Sequence, residues 1–205
     1  MSRSYLQSCF SMKRAQAIRA IMDLIGDELV VSNLGDPSKE LYHTRDRPEN
    51  FYMLGSMGLT SSISLGLALS QDRKVVCLDG DGSILMNMGS LSTIANMNPS
   101  NLILIALDNG AYGTTGNQRT FTAGTTDLAE IARASGFEHC LKAENTAELA
   151  ETFSSCLEKS AFSFLHVTIQ SDNVKLSAIP LNPVAIKNRF MDSIDPKEKE
   201  NGRSL

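Results

Sequence analysis

The sequence has 205 residues, enough for one domain of ordinary size with a real core, and its 42% hydrophobic and 20% charged content excludes wholesale disorder. A net charge of −4 leaves no basic excess to neutralise nucleic-acid phosphates or an anionic membrane, although a few local donors suffice for a small anionic substrate. The four cysteines, Cys9, Cys77, Cys140 and Cys156, form no C-x-x-C pair and join no histidine cluster, which argues against zinc, iron–sulfur and disulfide-scaffold readings.

In chain order, residues 1–12 are weakly apolar and do not read as a signal peptide, and no apolar run reaches membrane-span length, so the expected compartment is the cytoplasm. A flexible extension over 1–12, one domain over 13–186 and a polar tail over 187–205 is the expected division. Residues 13–25 carry Ala17, Ile18, Ile21, Met22 and Ile25 at helical spacing. The runs 28–32 and 49–54 read as strands, and 57–69, rich in Ser, Gly and Ala, as a helix that can approach a sheet closely. KVVCL at 74–78 predicts a strand with Cys77 as a small core residue, 83–97 a helix stopped by Pro99, and NLILIAL at 101–107 a strand covered on both faces. A Gly- and Thr-rich loop over 110–126 follows. Next come a helix over 127–135 capped by Thr126, a strand over 139–143, a helix over 146–159 with Thr146 as N-cap, and a last strand over 163–169. Strands alternating with helices predict an α/β fold: an open parallel sheet of about six strands with helices on both faces. Its ligand lies beyond the carboxyl ends of the strands.

The chemistry concentrates at two of those ends. KVVCL runs into Asp79-Gly80-Asp81-Gly82-Ser83, and a strand, a glycine turn and a helix together present backbone N–H groups to a phosphate. Gly80 and Gly82 remove the side chains that would block close approach. Asp81 puts a negative charge where the anion belongs, a conflict that a divalent cation resolves by bridging carboxylate and diphosphate. The next strand ends in Asp108-Asn109-Gly110-Ala111, and the twenty-six residues 83 to 108 give room for one helix and one strand. That crossover returns Asn109 beside Asp81. Asp81, Asn109 and the backbone carbonyl near Ala111 would then share a magnesium ion with two diphosphate oxygens and a water. Asp79, Asp81 and Ser83 mimic an EF-hand start, but Ile84 and Ser90 stand where that loop needs Gly and Glu. A plain glycine turn with solvated aspartates stays open on the residues alone.

G-D-G-S, this spacer, and then D-N-G-A-Y-G resembles the diphosphate-binding motif of thiamine diphosphate enzymes, and covers Gly80, Asp81, Gly82, Ser83, Asn109, Ala111, Tyr112 and Gly113. Many members carry a second Asn where this chain has Asp108, a departure that leaves the implied ligand untouched. Leu54-Gly55-Ser56-Met57-Gly58 resembles the segment that holds the aminopyrimidine ring, which implies cofactor contacts at Gly55 and Ser56 and a supporting apolar side chain at Met57. In that superfamily a glutamate on a separate pyrimidine-binding domain activates the cofactor. This chain has room for only one such domain, and Glu40 and Glu49 read as ordinary surface residues, so a partner chain is implied. Over about 13–168, N-L-G-D-P-S-K-E-L-Y, G-S-M-G-L and D-N-G-A-Y-G-T-T-G-N-Q resemble the beta-subunit family of sulfopyruvate decarboxylases.

The resemblance implies thiamine diphosphate and Mg2+ as cofactors and a pyrimidine-binding alpha subunit as partner in a hetro-oligomer. The implied reaction takes 3-sulfopyruvate to sulfoacetaldehyde and CO2, a step of coenzyme M biosynthesis in methanogenic archaea. Phosphonopyruvate decarboxylases share most of these motifs and remain an alternative, as do another 2-oxoacid decarboxylase and a non-catalytic cofactor-binding assembly protein. A 2-oxoacid:ferredoxin oxidoreductase does not fit, for want of cluster-spaced cysteines. For the anionic head group, His43, Arg119 and Gln118 are the expected contacts. Arg45 and Arg47 are basic neighbours of His43 that fit solvated surface charges better.

Overall fold

A computed structural model describes residues 12–171 and 175–194. In chain order the elements are α1 (Arg14–Leu24), β1 (Leu29–Ser32), α2 (Asp36–Thr44), β2 (Asn50–Tyr52), α3 (Thr60–Ser70), β3 (Val75–Gly80), α4 (Asp81–Met86) and α5 (Gly89–Met97). They continue with β4 (Leu102–Asp108), β5 (Ala111–Tyr112), β6 (Gln118–Arg119), α6 (Leu128–Ser135), β7 (His139–Ala143), α7 (Thr146–Glu158), β8 (Ser163–Thr168) and α8 (Pro183–Ile194). Six strands form one parallel sheet in the order β2-β1-β3-β4-β8-β7, and β5 and β6 make a small antiparallel hairpin beside it.

The strand alternation splits the core in two. Val30, Val76, Leu78, Ile103, Ile105 and Val167 face α1 and α7 on one side, with Ile18, Ile21, Leu149 and Phe153. Val31, Val75, Cys77, Leu102, Leu104 and Phe164 face α3, α5 and α6 on the other, with Leu65, Leu91, Ile94 and Ala132. Every residue of β4 is buried, as a strand covered on both faces requires. This is the expected α/β sheet, Cys77 included.

Four local expectations are corrected. The helix over 83–97 is two helices, because the Asn87 side chain turns back to donate to the Gly58 carbonyl at 2.8 Å and closes α4. The caps fall on Asp127 and Asn145 instead of Thr126 and Thr146. Each of these carboxylate or amide oxygens accepts two N–H groups of the first turn, at 3.0–3.2 Å. A helix, α2, occupies 36–44, where none was expected. The polar tail starting at 187 is helical to Ile194: Ile186 and Phe190 stand one turn apart and are buried, and Arg189 grips Asp46 at 2.7 and 2.9 Å. Residues 1–11, with Cys9, and 195–205 lie outside the described residues. Met12 bridges Ile169 in parallel. Among the described residues no helix is long and apolar enough to cross a membrane.

Strand order locates the site. From β1 the chain moves outward through α2 to β2, and from β3 it moves the opposite way through α5 to β4. Leu41 of α2 packs on one face of the sheet and Leu91 of α5 on the other. A crevice therefore opens between the carboxyl ends of β1 and β3, which is where open α/β sheets bind ligands.

Candidate functional site

That crevice is a cleft lined after β1 by Asn33, Asp36 and Pro37, after β3 by Gly80 to Ser83, and after β4 by Asn109, Ala111 and Tyr112. Arg14, Met57, Gly113 and Thr114 also line it. Expected cofactor contacts at Met57, Gly80, Asp81, Gly82, Ser83, Asn109, Ala111, Tyr112 and Gly113 thus meet in one place. Gly82 has a visible reason to lack a side chain: an added Cβ would stand 2.4 Å from the Tyr112 ring and 3.3 Å from the end of Met57. Ser83 accepts the Gly58 N–H at 3.0 Å and ties the phosphate-type turn to the Met57 segment.

Asp81 is 2% exposed. Its Oδ2 accepts the Thr120 hydroxyl at 2.5 Å and lies 3.2 Å from Thr122 Oγ1. Thr122 also reaches Asp108 Oδ1 at 2.8 Å, and Asp108 Oδ2 lies 2.7 Å from His166 Nε2. The hairpin makes this possible: β5 pairs with β6, and Thr120 N–H bonds the Gly110 carbonyl at 2.9 Å, which folds both threonines back over β3. Burial pushes the Asp81 carboxyl up to about 6, the nearby Asp108 charge adds to it, and the Thr120 hydrogen bond opposes it. Asp108 goes the other way. Burial would raise it, but His166, Thr122 and the Gly110 N–H together hold it below the usual carboxylate range. Asp79, fully buried at the strand end, is pushed up to about 6 by burial, opposed by Ser83 and by the Gly80 N–H that its Oδ1 accepts.

Among the described residues no cationic side chain pairs with the buried Asp81 carboxylate, and a divalent cation is the partner that would offset its charge. Asn109 lines the same cleft, its Oδ1 held by the Ala111 N–H at 3.2 Å with a second lone pair to spare. Among the described residues no group of three or more His, Cys, Asp or Glu is placed to hold an ion. A cation here needs oxygens from its ligand as well, and this hard-oxygen donor set suits magnesium with a diphosphate. A magnesium ion held by Asp81 would compete with protons there, so its affinity should fall about tenfold per pH unit below about pH 6. Calorimetry across that range checks it, and a flat profile would remove Asp81 from the ligands.

Other expected residues are not brought to the cleft. Gly55 and Ser56 line a neighbouring apolar groove with Leu54, Leu59 and Ile186, and only Met57 of that segment reaches the cleft. α2 begins at the cleft and runs away from it, which leaves His43 about 10 Å further along the helix axis. There its Nε2 contacts Ser177 at 3.2 and 3.3 Å. Arg45 donates to the carbonyls of Met22 and Ile25, and Arg47 to that of Glu28, so both serve the fold. Gln118 and Arg119 are exposed on the hairpin, bonded to the Thr115 and Ala123 carbonyls. Glu40 is not a surface residue: it is 2% exposed and takes both Nε and Nη2 of Arg14, at 2.9 and 3.0 Å.

Sequence reading missed Arg14, Asn33, Thr120 and Thr122. Arg14 and Glu40 belong to helices whose contact is tertiary, and the threonines need the hairpin return. Asn33 alone had a local signal, since it directly follows a strand at the ligand-bearing edge.

The comparisons agree with this geometry. A family model described as thiamine pyrophosphate enzyme, C-terminal TPP binding domain, matches residues 34–167. The chain is 50% identical over 183 residues to the sulfopyruvate decarboxylase subunit beta of Methanocaldococcus jannaschii, covering 89% of this chain and 97% of that one. It is 45% identical to the sulfopyruvate decarboxylase of Methanosarcina acetivorans, covering 91% of this chain but 48% of that protein. The phosphonopyruvate decarboxylase of Streptomyces viridochromogenes is 36% identical, with 84% of this chain and 43% of that one covered. Among solved structures, benzoylformate decarboxylase from Polynucleobacter necessarius superposes with a TM-score of 0.67 at 20% identity, over 80% of this chain and 34% of that one, and shares the fold. The chain belongs to the thiamine pyrophosphate enzymes and, within them, to the family of sulfopyruvate decarboxylase beta subunits.

Proposed function

We propose that this chain is the diphosphate- and magnesium-binding subunit of a decarboxylase that converts 3-sulfopyruvate to sulfoacetaldehyde and CO2. It works with a pyrimidine-binding alpha subunit that supplies the activating glutamate. The observation that carries this reading is the cleft at the switch point, which the glycine turn after β3, the buried Asp81 and Asn109 after β4 line together. Relatives named sulfopyruvate decarboxylase subunit beta support the substrate. That a relative matched over 97% of its length is named subunit beta supports the partner.

Thiamine diphosphate, when bound, supplies the electron sink into which the carbon–carbon bond electrons flow as CO2 leaves. The chain's residues bind and orient. Gly80 and Gly82 let diphosphate oxygens approach the backbone, and Ser83 fixes the turn. Asp81, Asn109 and the Ala111 carbonyl would hold magnesium, with Thr120 and Thr122 occupying the Oδ2 side of Asp81. Met57, beside Tyr112 on the cleft wall, would give the cofactor an apolar support. Gln118 and Arg119, exposed on the hairpin outside the cleft, are our candidates for the anionic head group in the assembled enzyme. The isolated chain should show negligible decarboxylation of sulfopyruvate and gain it on addition of the alpha subunit. Full turnover by the chain alone would refute the two-chain reading, and faster turnover of phosphonopyruvate by the assembled enzyme would move the substrate.

A further inference from the structure

We infer that Asn33 is a phosphate ligand, its side-chain amide donating to the diphosphate from the wall of the cleft formed after β1. The inference rests on the thiamine diphosphate reading and adds a residue to it.

Asn33 is the first residue after β1 and is 6% exposed. Its backbone N–H is spent on the Leu78 carbonyl at 2.9 Å. Its Oδ1 accepts the Leu34 N–H at 2.8 Å, which fixes the orientation of the amide. Nδ2 then lies beside Gly80, 3.5 Å from where that residue's Cβ would stand. No hydrogen bond from Nδ2 exists among the described residues, although Asn33 lines the cleft. A buried amide with its donors unspent is uncommon in a folded protein unless a ligand or water takes them.

Its surroundings favour an anion. The first turn of α2, a helix of 9 residues, opens on the same wall through Asp36 and Pro37, and Gly35 in the N-cap position offers no side-chain oxygen to the orphan N–H groups. The cation on that wall, Arg14, is already held by Glu40 at 2.9 Å and approached by Asp36 at 3.5 Å. With that charge offset, a neutral amide is the donor left to face the glycine turn. Gly80 leaves the space through which a phosphate oxygen would reach it.

Two variants test this by calorimetry on the full chain, with magnesium and inorganic pyrophosphate as the probe. Asn33→Asp keeps the oxygen that holds the Leu34 N–H, removes the donor and adds a negative charge; Asn33→Ala removes oxygen and donor without adding charge, so its loss reports the amide alone. Both should bind about 10- to 100-fold more weakly, the loss of one charge-assisted hydrogen bond, with thermal unfolding confirming that each is folded. Wild-type affinity in either variant overturns the inference. So does normal binding by Asn33→Asp beside weak binding by Asn33→Ala, which would mark a loop-shaping role. Unchanged pyrophosphate affinity with a raised KM for sulfopyruvate in the assembled enzyme would place Asn33 on the substrate and also overturn it. The Asp81→Ala chain separates the two levels of argument. If wild type binds the probe and Asp81→Ala does not while the Asn33 variants bind normally, only the Asn33 inference falls; if wild type binds none, the phosphate reading falls with it.

Discussion

Replacing Asp81 with asparagine should remove magnesium-dependent binding of thiamine diphosphate while making the cofactor-free chain more stable at neutral pH. The two effects have one origin. Asp81 is buried, its Oδ2 faces two threonine hydroxyls, and no ion pair offsets its charge among the described residues. Its folded carboxyl, at about 6, lies above the ordinary value of 3.8. The ionised form is therefore disfavoured in the fold, and its contribution to stability is lost as pH rises through about 6. Asparagine keeps an oxygen for Thr120 and carries no charge, so the thermal midpoint should rise near pH 7.5 and change little near pH 4. Binding should weaken by more than about a hundredfold, beyond what loss of an outer contact costs. Calorimetry gives the affinity and thermal melts at the two pH values give the stability. Undiminished binding would remove the metal assignment, and a lowered midpoint at neutral pH would show that the carboxylate is satisfied without a cation.

Such a trade of stability for binding is what a site built around an absent charge should show. It also explains which parts of the molecule were legible in the sequence. Strands β3 and β4 announce themselves through unbroken apolar runs, and the glycine turn and Asp108-Asn109 follow directly from where those runs end. The halves of the site separated by one crossover could be paired by counting residues. What could not be read depends on returns of the chain that no local pattern encodes. Thr120 and Thr122 look like loop residues until the β5–β6 hairpin folds them onto Asp81. Asp108 closes β4, and its partner His166 stands on β8, 58 residues away. α8 hides its Ile186 and Phe190 pair in a polar stretch, and only docking against Phe51 and Asp46 makes it a helix worth forming. His43 stands apart for the opposite reason: its proximity in sequence to the cofactor segment concealed that α2 carries it away from the cleft.

Arg14→Ala should destabilise the chain by about 3–5 kcal/mol, the usual result of stripping one member from a buried ion pair. Arg14 in the first turn of α1 and Glu40 in α2 are 6% and 2% exposed, and their two hydrogen bonds are 2.9 and 3.0 Å long. Removing the guanidinium leaves Glu40 to bear its desolvation without that cation, in a helix that also carries Asp36. Coulomb attraction in such a pair roughly offsets the desolvation of its members, so the pair itself adds little stability over an apolar replacement. The double variant Arg14→Met with Glu40→Leu should therefore recover most of the loss. Denaturant unfolding of the two variants measures both quantities. A loss below about 1 kcal/mol in Arg14→Ala would mean that water reaches the pair and that it behaves as a surface contact. If the double variant regains stability but binds magnesium pyrophosphate more weakly, the pair has been retained for where it puts the first turn of α2. The residues that line the cleft after β1, Asn33 to Pro37, are held between the strand end and that ion pair, and a shift there moves one wall of the phosphate site without touching the other.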